Sequence, residues 1–170
     1  MIAVCAVLVS AVVAAASVWQ TRVIANQLSA TVWPYLSFNL TVRDGLLRYW
    51  VENEGLGPAI VRSATVTIDG KRVASLRAVA LSLGSGRLPR GSLSTSSLGA
   101  GEVLRPSQAL DIVVFQGKVA RAYAAAFQRR ATLAICYCSL LDQCWRLTSL
   151  ADSAIPVPVA RCGEAAGIGA

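Results

Sequence analysis

"LSFNLTVRDGLLRYWVEN", residues 36–53, is the stretch that decides the fold. Leu36, Phe38, Leu40 and Val42 alternate with Ser37, Asn39 and Thr41, the period of two that a half-buried strand requires. Asp44 and Gly45 follow, and an Asp-Gly pair accepts the positive φ angles of a tight hairpin turn. Residues 39–53 therefore read as two antiparallel strands. The same device recurs at Asp69 and Gly70, between "ATVTI" and "KRVAS". Two such signals predict a mainly β, antiparallel domain, and the fold expected from them is an antiparallel β-sandwich with one or two short helices.

Upstream of this stretch the chain changes character. Residues 1–19, "MIAVCAVLVSAVVAAASVW", contain only Ser10 and Ser17 as polar positions. A helix crossing a bilayer needs about 20 mostly apolar residues, and Trp19 falls where an aromatic interfacial anchor belongs. A cleaved signal peptide is the competing reading, since Ala14, Ala15, Ala16 and Ser17 resemble a cleavage site. An uncleaved anchor is preferred because no Lys or Arg precedes the apolar run. All 16 basic residues lie after it. The positive-inside tendency thus leans toward a cytoplasmic domain, on the strength of Arg22 alone. "QTRVIANQLSATVW" continues as a short helix or linker, and Pro34 ends it.

Downstream, Val73, Leu76, Val79 and Leu83 have helical spacing, with a strand and loop as the alternative. The Gly- and Ser-rich residues 84–101 read as a long loop. "ALDIVVF" reads as a buried strand. On "GKVARAYAAAFQRR" Val119, Tyr123 and Phe127 recur every four residues, leaving Lys118, Arg121, Arg129 and Arg130 as a basic face. "ATLAICYC" and "CWRLTSL" read as a strand pair. The expected organisation is an anchor over 1–20, a juxtamembrane helix or linker over 21–33, a β domain over 34–150 and a flexible tail over 151–170.

The chain has no histidine, which excludes Ser-His-Asp and Cys-His catalysis and any imidazole metal site. Its only lysines are Lys71 and Lys118, and neither completes a Ser-x-x-Lys motif. Glu52 and Glu54 share a strand face but read as a solvated strand end rather than an acid and base pair. "NEGLGPA", residues 53–59, lacks the spacing of a phosphate-cradling loop and reads as a bend between strands. No catalytic constellation remains, and no enzyme activity or cofactor is expected.

The net charge of +7 suits a soluble surface, or a basic face at Lys118, Arg121, Arg129 and Arg130 that touches anionic lipid or an acidic protein. Nucleic acid is not the expected partner.

Cysteine is the remaining chemistry. Cys136 and Cys138 point to one face of a strand. With a five-residue loop, Ser139 to Gln143, Cys144 lies opposite Cys138 at disulfide distance; with a four-residue loop it turns to the other face. Cys162 adds a fourth candidate, and four cysteines allow three complete pairings. Packed free thiols, a disulfide and an all-cysteine metal site all stay open, although Cys-x-Cys is the wrong spacing for ordinary zinc modules. Cys5 reads as a small apolar residue of the anchor.

Three segments, "WQTRVIANQLSATVWPYLSF", "VENEGLGPAIV" and "ICYCSLLDQCW", together resemble a group of small bacterial membrane proteins with one N-terminal helix and an immunoglobulin-like β domain. The resemblance implies an anchored, single-pass sandwich protein of a bacterial inner membrane; the N-terminal helix makes the bilayer one expected partner, and an unidentified protein is the other. It brings no catalytic residue and no ligand. The expectation is a non-enzymatic interaction or structural module, with a thiol-based redox or metal-binding protein using Cys136, Cys138 and Cys144 as the alternative.

Overall fold

The computed structural model describes residues 2–83, 91–118, 120–149, 155–163 and 167–169 of the 170-residue chain. An apolar helix, α1 (Ile2–Thr31), precedes a mainly β domain. Ala6–Ser29 within α1 is long and apolar enough to cross a membrane, and none of it is buried against the domain. Ser10, Ser17 and Thr21 turn their hydroxyls back onto carbonyls four residues earlier, so they leave no free donor on the helix surface.

The opening stretch folds as its alternation requires. β1 (Leu36–Arg43) and β2 (Leu46–Asn53) pair antiparallel from Leu36↔Asn53 to Arg43↔Leu46. Asp44 and Gly45 take φ of 43° and 79°, and Asp69 and Gly70 repeat this with 49° and 79° between β3 (Ala59–Ile68) and β4 (Lys71–Val73). After α2 (Leu76–Leu83) come β5 (Leu93–Thr95), β6 (Val103–Leu104) and β7 (Ala109–Gln116). α3 (Ala120–Arg130) leads to β8 (Ala131–Cys138), β9 (Cys144–Thr148) and β10 (Val157–Val159).

These strands form two sheets, ordered β1-β2-β7-β5 and β10-β9-β8-β3-β4, with β6 also on β3. Every pairing between named strands is antiparallel. One core joins the sheets: Leu36, Leu47, Val51 and Phe115 from the first meet Val61, Val66, Leu133 and Tyr137 from the second. α3 carries the chain from the end of β7 to the start of β8; Tyr123 stacks on Phe115, and Phe127 packs at a tilt against Tyr49. That is the apolar face expected of this helix, although Val119 lies outside the described residues.

The domain therefore has two poles. α1 enters at the near pole, where Leu36 N–H donates to the Tyr137 hydroxyl across the sheets. The far pole holds both Asp-Gly turns and α3. The eight residues of β1 run between them, about 23 Å at strand rise.

Asn53 ties the near pole together. It is fully buried, and its carboxamide makes all four bonds available to it. Oδ1 accepts from Tyr35 and Gly55 N–H at 3.2 and 3.0 Å; Nδ2 donates to Gly57 and Leu104 carbonyls at 2.8 and 3.0 Å. The bend that Asn53 organises grips the end of α1. Leu56 and Gly57 N–H both donate to the Trp33 carbonyl, and Glu54 N–H donates to Tyr35. A Cβ on Gly57 would overlap the Val32 carbonyl, and one on Gly55 the backbone of Trp33 to Tyr35. Close approach, rather than turn geometry, is what requires glycine at both positions.

The C-terminal stretch departs from the flexible tail expected over 151–170. β10 pairs with β9, Ile168 is 3% exposed, and Leu98 and Ile168 exchange backbone hydrogen bonds. Pro158 is compatible with this because β10 is an edge strand, where a missing amide hydrogen costs no ladder bond. The long loop expected over 84–101 is likewise partly built in: residues 84–90 lie outside the described set, but β5 pairs with β7 and Leu98 is buried.

Two outcomes test this account. Asn53→Ala, and equally the isosteric Asn53→Asp, which presents an oxygen to two carbonyls, should lower the unfolding free energy by about 2–4 kcal/mol in chemical denaturation. Burial pushes the Tyr137 phenol up to about 12, and raises Tyr49 as well. Above the ordinary tyrosine value near 10 the unfolded chain releases these protons while the folded chain holds them. Stability should fall as pH rises from about 10 to 12, and less steeply in Tyr49→Phe/Tyr137→Phe.

Candidate functional site

All four cysteines outside α1 gather at the near pole. β8 and β9 pair in the register that sets Cys138 opposite Cys144, so the connecting loop is the five-residue one, Ser139 to Gln143. Ser139 builds it: this fully buried serine donates its N–H to Gln143, and its Oγ accepts from Leu141 and Gln143 N–H. Asp142 takes the positive φ, 55°, that closes the turn.

Two disulfides result, Cys138–Cys144 and Cys136–Cys162, with S–S separations of 2.09 and 2.03 Å. Cys136 and Cys138 alternate with the core-facing Ile135 and Tyr137, so both bridges lie on the outer face of their sheet. There the segment after β10 covers them. Cys138 Sγ and Cys162 Sγ, one from each bridge, are 3.9 Å apart.

A shallow pocket opens beside the bridges, lined by Arg62, Asp142 and Arg161 with Cys138, Cys144 and Cys162. Arg62 reaches it through a bulge in β3, where the register with β8 slips between Val61 and Ser63. Its guanidinium pairs with Asp142 at 3.1 Å. Neither residue stands out in the sequence, since 80 positions separate them and the bulge that aims Arg62 depends on strand pairing. The Sγ atoms of Cys138, Cys144 and Cys162 lie within 4.8 Å of one another, which is compact enough for a metal. A bonded sulfur carries no thiolate charge, so the cluster could ligate only after reduction.

The basic residues of α3 lie at the far pole, away from the cysteines. Lys118 and Arg121 flank a depression with Asp44, Gly45 and Gly117, held by the Gly117 N–H to Gly45 carbonyl bond. Arg129 is exposed. Arg130 is not free: it forms a two-pronged pair with Asp69, closest contact 2.7 Å, and holds that carboxyl below its usual range. Glu52 and Glu54 accept hydrogen bonds from Trp50 and Ser37, as surface carboxylates do.

Comparison with protein-family models, curated proteins and solved structures returns no match. The functional reading therefore rests on the chain's own geometry.

The two bridges should differ in weight. On loop-closure entropy, Cys136→Ala/Cys162→Ala, which opens a 26-residue separation, should cost about 3.5 kcal/mol. Cys138→Ala/Cys144→Ala, with a separation of 6, should cost about 2 kcal/mol. Denaturant titration of the two double variants checks the order.

Proposed function

We propose that this chain is a membrane-anchored, non-enzymatic interaction module whose β domain stands outside the cytoplasm. The observation that carries the reading is α1, whose spanning-length apolar stretch packs against nothing in the domain. An amphipathic helix of a soluble core would hide one face; this one has no face to hide, and a bilayer is the environment that accepts it. Exposed Trp33, Leu56, Leu140 and Leu141 surround the pole from which α1 leaves, which suits a surface turned toward a membrane.

The two bridges support the outer side. Disulfides persist in oxidising compartments and are rare where glutathione and thioredoxin keep thiols reduced. This argument outweighs the cytoplasmic lean drawn from Arg22. The two sheets around one core agree with the immunoglobulin-like sandwich implied by the resemblance to small bacterial membrane proteins, which points to the bacterial inner membrane as the site.

The rival, thiol-based redox or metal chemistry at Cys136, Cys138 and Cys144, has the 3.9 Å approach of the two bridges and the neighbouring Arg62 and Arg161 in its favour. A cation beside sulfur favours thiolate.

One experiment separates the readings: labelling of intact cells with a membrane-impermeant maleimide, with and without prior reduction, and with permeabilised cells as control. The expected result is labelling of intact cells only after reduction. Labelling confined to permeabilised cells, with no need for a reductant, would put free thiols in the cytoplasm and favour the metal reading. A labelled protein recovered in the soluble fraction, without α1, would identify a cleaved signal sequence.

A further inference from the structure

The far pole carries most of the chain's excess charge. Arg43 and Asp44 close the β1–β2 hairpin; Asp69, Lys71 and Arg72 form the β3–β4 turn and the strand after it. Lys118 and Arg121 stand at the start of α3, Arg129 and Arg130 at its end. Seven cations against two carboxylates give these residues a net +5, out of +7 for the whole chain. All nine are exposed. Apart from Arg130 with Asp69, none of the cations here forms an ion pair among the described residues.

Ordinary solvation does not call for this arrangement. Elsewhere among the described residues, Arg48 pairs with Asp111 and Arg62 with Asp142, while Arg22, Arg77, Arg105, Arg146 and Arg161 stand scattered along the chain without an ion pair. At the far pole the six unpaired cations repel one another. Lys118 and Arg121 also sit beside a helix N-terminus, the end where the macrodipole disfavours positive charge. The unfavourable field is relieved by anions.

We propose that the far pole is the docking surface for an anionic polymer bearing repeated phosphate groups, held away from the membrane by the anchored domain. α3 alone is about 16 Å long, and a small anion could neutralise only one end of it. A polymer can follow the pole and meet cations from both hairpins and from α3. Four of the six are arginines, whose planar guanidinium binds phosphate through two parallel hydrogen bonds. The aromatic side chains at this pole, Tyr123, Phe127 and Tyr49, are buried in the core. A protein interface would want such rings as exposed anchors, and single-stranded nucleic acid would want them for stacking. The proposal takes from the previous section only the side of the membrane on which the polymer is met. Its test is independent of that topology.

The test uses the full chain in nanodiscs of zwitterionic phosphatidylcholine, with end-labelled inorganic polyphosphate as the probe and fluorescence anisotropy as the readout. Binding should weaken steeply as salt rises, because each neutralised phosphate releases a counterion. Lys118→Ala/Arg121→Ala/Arg129→Ala should lose at least tenfold in affinity and flatten the salt dependence. The matched control Arg105→Ala/Arg146→Ala/Arg161→Ala, which removes equal charge elsewhere, should stay within twofold of wild type. Equal losses in the two triple variants, or no binding by wild type in low salt, would overturn the proposal. So would a preference for polyglutamate, for duplex DNA of equal charge, or for vesicles of anionic phosphatidylglycerol over polyphosphate.

Discussion

The carboxamide of Asn53 is the constraint on which the near pole depends. A buried amide is costly unless both its donors and both its acceptor positions are used, and here the four partners come from three segments. Tyr35 follows α1, Gly55 and Gly57 belong to the bend, and Leu104 is in β6. One side chain therefore fixes how the apolar helix meets the β domain. Gly55 and Gly57 complete the joint by letting the bend lie against the backbone of Val32 to Tyr35. The connection is made of hydrogen bonds at contact distance, which leaves no slack for a flexible tether.

Much of the architecture was legible in the sequence because it is local. The Asp-Gly pairs announce both hairpins, alternation announces β1, and the four-residue recurrence of Tyr123 and Phe127 announces α3. These signals depend on neighbours within one turn or one strand. The features that escaped depend on distant partners. β10 has three residues and a proline, so nothing in it reads as a strand until β9 lies alongside. The Cys136–Cys162 pairing was one of several possibilities until the tail was known to cross the outer face. "NEGLGPA" was readable as a bend, whereas its grip on Trp33 was not, because Trp33 is 20 positions away from Asn53 in the chain and carries no mark of the contact. The basic face of α3 was visible as a helix stripe. Its enlargement by Arg43, Lys71 and Arg72 required the two hairpins to end at the same pole.

The domain is thus polarised along its strands. The cysteines, the buried amide and the exit of α1 occupy one end; unpaired cations occupy the other. The Tyr137 hydroxyl and the Cys136–Cys162 bridge add links at the end nearer the apolar helix, and the aromatic cluster of Phe38, Tyr49 and Phe127 joins α3 to the first sheet.

The run of β1 from one pole to the other has a mechanical consequence. Tension between α1 and the far end of the molecule would act parallel to β1, across an eight-position antiparallel ladder with β2. Loaded in that direction, the rungs share the force and must slide together, rather than opening one by one as a zipper does. Along this axis the fold is a strap, built to transmit a pull rather than to yield to it.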